Sequence, residues 1–186
     1  SCPYNMSFRR CAIVVIFCVC SSFLYGQGQI GLNPLSVRWQ QIETPAGKII
    51  YPQGLKAQAV RVAGLVNYQR LHDSAVVGEG LTKRIPIILQ NQSTLPAGFA
   101  TPAPWRSELY LMPPQNHFMG ATPWLDALTV HEYRHAQQFS AANQGFTNIY
   151  KVLMGQTGWL LNAIGGQPLW YREGDAVVAE TVYTGE

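Results

Sequence analysis

The chain has 186 residues, of which 47% are apolar and 12% are charged. This length and composition fit one globular domain with a sizeable core and exclude an intrinsically disordered protein. The 13 basic and 10 acidic residues give a net charge of only +3 at pH 7. Because no clustered basic segment accompanies that small excess, we expect no nucleic-acid partner.

The first 26 residues have the order of a secretory signal peptide. A short basic segment at residues 6–10 precedes an uncharged run at 11–20 (CAIVVIFCVC), and a small, polar segment follows at 21–28. The uncharged run is shorter than the roughly 18 residues that a spanning helix needs. We therefore expect secretion without a permanent membrane span, into the periplasm, to the cell surface or outside the cell.

Removal of residues 1–26 changes the cysteine content and the net charge of the chain. All four cysteines lie in that segment, so a mature domain of residues 27–186 has no disulfide and no cysteine metal ligand. The loss of Arg9 and Arg10, with no acidic residue, lowers the net charge from +3 to +1. We expect residues 1–5 to lie upstream of the natural start.

Strand and helix patterns alternate in the first half of the mature segment, which predicts an α+β domain. Residues 48–51 (KIIY) and 84–90 (RIPIILQ) have the short apolar composition of strands. Residues 54–71 place their apolar side chains on one helical stripe. The segment 91–104 is rich in Pro, Gly, Ser and Thr and predicts a loop, whereas residues 105–112 (WRSELYLM) alternate as a strand does.

Three helices are predicted in the second half. The first runs from about residue 122 to 140, with Pro123 at its start. The second, over residues 148–163, is very apolar and is weakened by internal glycines. The third begins at Pro168 and carries two glutamates seven residues apart, Glu173 and Glu180.

The first of these helices contains the segment TVHEYRHAQQ. At about 100° per residue, His131 and His135 lie one turn apart on nearly the same face, so both imidazoles can reach one ion. Glu132 lies beside that face, where a carboxylate is poorly placed as a ligand but well placed to accept a proton from a water. This is the H-E-x-x-H pattern of zinc metallopeptidases. The alternative is a partly exposed polar helix face without a metal.

A third metal ligand is available downstream. A catalytic zinc site needs three protein ligands and an open position. Glu173 follows a connection long enough to fold one helix back against another, and Gly174 is expected to let a neighbouring element approach the metal. Glu180 lies two turns further on nearly the same face, where it can accept a hydrogen bond from a ligand histidine. The alternative for Glu180 is a solvated helix position.

The motif HEYRH at residues 131–135, followed by W-x-x-E-G-x-A at 170–176, resembles the gluzincin branch of the zincin metallopeptidases. The second segment is similar to the one that carries the glutamate ligand in aminopeptidase-N-like members. More narrowly, residues 40–186 look like the secreted peptidase-like domain of Bacteroidetes surface proteins. The segments that carry this likeness are IIYPQGLKAQAVRVAGL, RIPIILQNQ, APWRSELYLMPPQ and TVHEYRHAQQ.

The resemblance implies a zincin-like fold, in which the edge strand of a small mixed sheet lies over the active-site helix. It implies one zinc ion per chain, with His131, His135 and Glu173 as ligands and Glu132 as general base. It also implies that residues 105–112 form the edge strand and pair with an extended peptide or protein substrate. The substrate-binding residues on that strand would be Trp105, Arg106, Ser107, Glu108 and Leu109.

The resemblance also sets limits on the expected activity. Glu173 follows His135 by a longer gap than in many gluzincins, and no aminopeptidase signature for a substrate amine is present, so exopeptidase activity is not implied. Relatives continue past the position of Glu186, so we expect additional C-terminal domains in the full-length protein. The alternative function is a zincin-fold binding or scaffold module of a larger cell-surface protein, with weak or no catalysis.

Two further polar residues have simpler interpretations. Arg134 points away from the metal by helical phase, which predicts a surface ion pair with Asp126 or a similar partner. His117, in a loop, is either solvated or part of a lid over the cleft.

Overall fold

The computed structural model describes residues 33–73, 83–115 and 122–184. The signal-peptide prediction for residues 1–26 and the loop residue His117 lie outside these ranges. Contacts divide the chain into two units, Ser1–Leu35 and Ser36–Glu186, and all elements below belong to the second. The strands are β1 (Trp39–Glu43), β2 (Gly47–Pro52), β3 (Ile85–Gln90), β4 (Gly98–Pro102) and β5 (Trp105–Tyr110). The helices are α1 (Lys56–His72), α2 (Trp124–Ala141), α3 (Phe146–Gly165) and α4 (Leu169–Thr184).

The five strands form one mixed sheet in the order β1-β2-β3-β5-β4. β2 and β3 run parallel because α1 crosses between them, and β3 and β5 are also parallel. The two outer strands, β1 and β4, run antiparallel to their neighbours. The prediction of an α+β fold with a mixed sheet is therefore confirmed.

The position of the edge strand differs from the prediction. β5 lies between β3 and β4, so Ser107 and Leu109 pair with a strand on each side. The edge next to α2 is β4, in the segment predicted to be a loop. Its sequence GFATP contains Gly and Pro, which disfavour strands, and only tertiary pairing with β5 holds it extended. The residues wrongly expected at the edge are Trp105, Arg106, Ser107, Glu108 and Leu109.

The core lies between the sheet and helices α1 and α2. Ile85, Ile87 and Leu89 of β3 alternate toward it and are almost fully buried. α1 contributes Val62 and Val66 from one stripe, and each such side chain stabilises the fold by about 1.5–3 kcal/mol. The other strands and α2 supply Ile49, Leu109, Leu128, Tyr133 and Ala136. This packing fixes α2, and with it the histidine motif, against the sheet.

The last two helices complete the surroundings of α2. α4 packs along α2, while α3 contacts β4. α3 is broken at Gly155, whose φ of 66° and ψ of −150° are conformations that glycine adopts at little cost. Trp159, after the break, is buried and donates its indole hydrogen bond to the Phe139 carbonyl at 3.0 Å. Within the described ranges, no helix is both long and apolar enough to cross a membrane.

Candidate metal centre

Helices α2 and α4 bring together three side chains that could hold a metal ion. The Nε2 atoms of His131 and His135 are 3.1 Å apart, and the Oε2 atom of Glu173 lies 3.4 Å from the first and 3.6 Å from the second. Ligand atoms that bind a tetrahedral zinc ion at about 2.0–2.1 Å lie roughly 3.3 Å from one another. The three side chains could therefore hold a metal ion without rearrangement of the helices.

The hydrogen-bond partners of the two imidazoles determine which ring nitrogen carries the proton. His131 Nδ1 donates to Glu180 Oε1. His135 Nδ1 lies 3.0 Å from Gln138 Oε1. The Gln138 amide is oriented by its own Nε2, which donates to Asp175 Oδ2 at 2.7 Å, so its oxygen faces His135 and accepts. Both imidazoles thus carry a proton on Nδ1, and their Nε2 atoms face the cleft.

This arrangement places three potential ligand atoms next to one another. The two Nε2 atoms and one carboxylate oxygen lie 3.1–3.6 Å apart, and the Nδ1 hydrogens of His131 and His135 are both directed elsewhere. Acceptors in such contact repel one another unless a cation or a proton lies between them. The donor set of two imidazoles and one carboxylate is the set that a catalytic zinc site uses. The residues therefore fit the metal that the sequence predicts.

The electrostatic surroundings of the two histidines favour different protonation states. Burial opposes the charged form of His131, but the hydrogen bond to Glu180 and the nearby carboxylates together raise its pKa. Burial lowers the pKa of His135, which keeps this ring neutral with a free lone pair. The acidic surroundings of His131 show that the centre stabilises positive charge.

Glu132 is buried beside the metal-ligand group. Burial raises its pKa to about 7, and the backbone N–H of Ala100 partly offsets this by a hydrogen bond to the carboxylate. Its Oε2 atom is shielded from water and has no hydrogen-bond partner among the residues described. A carboxylate with one unpaired oxygen and a pKa near neutrality can both accept and release a proton.

A close approach of β4 to α2 covers Glu132, and glycine makes it possible. A Cβ atom at Gly98 would lie 2.7 Å from Leu128 Cδ1 and 3.0 Å from Glu132 Cγ. The sequence assigned this kind of role to Gly174, which is wrong. A Cβ atom at Gly174 would meet nothing within 4 Å, because this glycine faces open space on α4.

A cleft of about 340 Å³ opens above these residues. β4 forms one side with Phe99 and Ala100, and Phe139 and Arg172 extend it along α2 and α4. The metal-ligand group and Glu132 form its floor. The site therefore combines an edge strand, a candidate metal centre and a buried carboxylate in one open groove.

Arg134 is the residue whose surroundings the sequence predicted least well. Its side chain is only 8% exposed and holds Asp175 by two hydrogen bonds of 2.7 and 2.8 Å. It also forms an ion pair with Asp73 at 3.2 Å, so it joins α2 to α4 and to the end of α1. The expected surface pair with Asp126 is wrong, because Asp126 pairs with Arg61 of α1.

Two residues that orient the centre were missed in the sequence. Gln138 follows His135 by three positions, so helical spacing alone could have indicated its contact with the ring. Asp175 orients Gln138 and binds Arg134, but it lies 41 residues from Arg134 in the chain. No local pattern predicts a contact over that separation.

Comparison with known proteins adds no relative: no protein-family model, no curated protein and no solved structure matches this chain.

Proposed function

We propose that this chain is a secreted, zinc-dependent metallopeptidase of the gluzincin type. The single observation that carries the proposal is the group of three potential metal-ligand atoms next to a buried carboxylate, one oxygen of which has no hydrogen-bond partner among the residues described. A structural zinc site needs four protein ligands and no such carboxylate, whereas a catalytic site needs three ligands and a base. Secretion rests on the signal-peptide pattern of residues 1–26.

The metal would be held by His131, His135 and Glu173. A bound zinc ion supplies a Lewis acid that polarises a carbonyl and increases the acidity of water. Glu180 and Gln138 keep the two imidazoles in the tautomer and the orientation that binding requires.

Glu132 moves the protons in the proposed reaction. Its unpaired oxygen accepts a proton from the attacking water as the new C–O bond forms. The same carboxyl group then delivers that proton to the amine that leaves when the C–N bond breaks.

The substrate would be an extended peptide aligned along β4. Among the described residues this strand pairs only with β5, and its residues Phe99 and Ala100 line the cleft. An extended peptide can add to such an edge through main-chain hydrogen bonds, which would position a peptide bond over the floor of the cleft. The role of peptide alignment, assigned from sequence to residues 105–112, thus passes to Gly98–Pro102.

The proposal is tested by metal content and by cleavage. The secreted chain, purified without a histidine tag, should contain one zinc ion by elemental analysis, and the Glu173→Ala variant should lose it. A chelator should abolish cleavage of a mixed peptide library, and added zinc should restore it. Bound zinc without cleavage of any peptide would reject the peptidase in favour of a binding module, and a folded chain without zinc would reject both.

A further inference from the structure

Arg172 is a cleft residue that the proposed chemistry does not use. It directly precedes Glu173 on α4 and lines the groove together with Phe99 and Phe139. Its guanidinium carbon lies 5.8 Å from the centre of the Phe139 ring, so the cation rests over an aromatic face. Its carbonyl accepts a hydrogen bond from Gln138 at 3.0 Å, which anchors the backbone at this position.

The guanidinium of Arg172 has no carboxylate partner within the described part of the chain. Its Nε atom is shielded from water and makes no hydrogen bond there. The two acids that follow it on α4 are engaged elsewhere, since Glu173 faces the histidines and Asp175 binds Arg134. Four other arginines do have carboxylate partners: Arg61, Arg84, Arg106 and Arg134.

An unpaired arginine in this position is suited to one class of ligand. A guanidinium stays charged at all physiological pH values and presents its donors in a planar fork that matches a carboxylate. Among the residues that line the cleft, Arg172 is the only one with a permanent positive charge, whereas Glu132 and Glu173 are acidic. A substrate carboxylate near the metal centre would therefore find one favourable position, beside Phe139.

We propose that Arg172 is a specificity-determining residue that binds a carboxylate of the substrate close to the cleaved bond. This inference rests on the proposed peptidase function and names its substrate class, peptides with a carboxylate next to the scissile bond. The carboxylate belongs either to a Glu or Asp side chain or to the free C-terminus of a short peptide. Arg172 holds it by charge-assisted hydrogen bonds, with the Phe139 ring excluding water from one side.

The test uses quenched fluorescent peptides in matched pairs. Each pair carries Glu or Gln at one position near the cleaved bond, and each peptide is made with a free or an amidated C-terminus. We expect the zinc-loaded chain to prefer the carboxylate member by about 10-fold to 100-fold in kcat/KM, the value of a hydrogen bond to a charged group. A preference between Glu and Gln identifies a side chain, and one between free and amidated ends identifies the C-terminus.

Three variants connect the preference to Arg172. Arg172→Gln should remove the preference for the carboxylate member while zinc content stays at one per chain. Arg172→Lys should keep part of the preference, because lysine retains the positive charge but lacks the planar pair of N–H donors. Arg38→Gln removes an exposed arginine outside the cleft and should leave the preference unchanged. Equal cleavage of both members by the wild-type chain, or an unchanged preference in Arg172→Gln, would overturn the inference.

A binding measurement separates this inference from the peptidase proposal. The same labelled peptides are titrated with zinc-loaded Glu132→Gln chain, with and without Arg172→Gln, and followed by fluorescence anisotropy. If no peptide is cleaved but the carboxylate members bind about 10-fold more tightly through Arg172, the peptidase proposal fails and carboxylate recognition stands. Equal binding of both members shows that Arg172 does not recognise a carboxylate.

Discussion

Helix α2 carries two polar clusters that differ in how their charges and hydrogen bonds are arranged. On the cleft side, the Nε2 atoms of His131 and His135 face the Glu173 carboxylate, and one buried oxygen of Glu132 has no hydrogen-bond partner in the part of the chain that the structure describes. On the other side, Arg134 is matched to Asp175 by two hydrogen bonds and to Asp73 by an ion pair. The cleft cluster brings together three potential metal-ligand atoms and a further carboxylate, whereas the Arg134 cluster pairs one cation with two carboxylates. Arg134 Nη1 and Asp73 Oδ2 also make no hydrogen bond among the residues described.

The two sides of one helix therefore have different physical properties. Buried polar groups without hydrogen-bond partners raise the free energy of the folded protein, and a bound ligand can supply the missing partner. Matched charges such as Arg134 and Asp175 need no ligand and hold α4 against α2. By holding α4 in place, the Arg134 cluster positions Glu173 and Glu180 beside the two histidines of the cleft cluster.

The largest expected effect is a loss of peptide turnover on substitution in the cleft cluster. Glu132→Gln should lower peptide turnover by about 10²-fold to 10⁴-fold, because the amide cannot accept the water proton. Zinc content and the free energy of unfolding should change little, since the substitution preserves shape. Turnover is measured on a cleaved peptide, with Glu43→Gln, an exposed carboxylate on β1, as the control. Hydrolysis at the wild-type rate would remove Glu132 from the mechanism.

The second largest expected effect is a loss of stability on substitution in the Arg134 cluster. Arg134→Met should lower the free energy of unfolding by about 3–5 kcal/mol, because it leaves the buried Asp73 and the half-buried Asp175 without their cation. Denaturant unfolding measures this change.

The matched control for Arg134 is Arg61→Met, on α1. Its partner Asp126 on α2 is 12% exposed, but Arg61 itself is 57% exposed, so water can partly replace the lost guanidinium. We expect a smaller loss of stability than in Arg134→Met. Equal losses in the two variants would contradict the contrast between a buried and an exposed arginine.

The smallest expected effect concerns the contact between β4 and α2. Gly98→Ala should lower the free energy of unfolding by about 1–3 kcal/mol, because the added methyl group overlaps Leu128. It should also reduce turnover, since the strand must move away from Glu132. Gly174→Ala is the matched control, in open space on a helix, and should be neutral or stabilising by up to about 1 kcal/mol. A Gly98 variant as stable as the Gly174 variant would show that β4 is free to shift.

The sequence by itself predicted what short-range periodicity controls. All four helices described here are present, with bounds close to those that apolar spacing predicts. The group that could hold a metal ion was predicted in two ways: one helical turn places His131 and His135 together, and Glu173 was added from a motif that resembles a known family. The spacing of the two histidines depends on neighbouring residues only, so a single sequence contains it.

Tertiary structure alone decided which groups meet across the chain. The edge strand β4, the close approach at Gly98 and the burial of Arg134 between α1 and α4 all depend on pairings between distant segments. GFATP is a weak strand former, and it is extended only because β5 pairs with it. Arginine side chains usually lie at the protein surface, and Arg134 is buried only because α4 packs on α2. Contacts between distant segments are set by the packing of the whole core, and no local pattern encodes them.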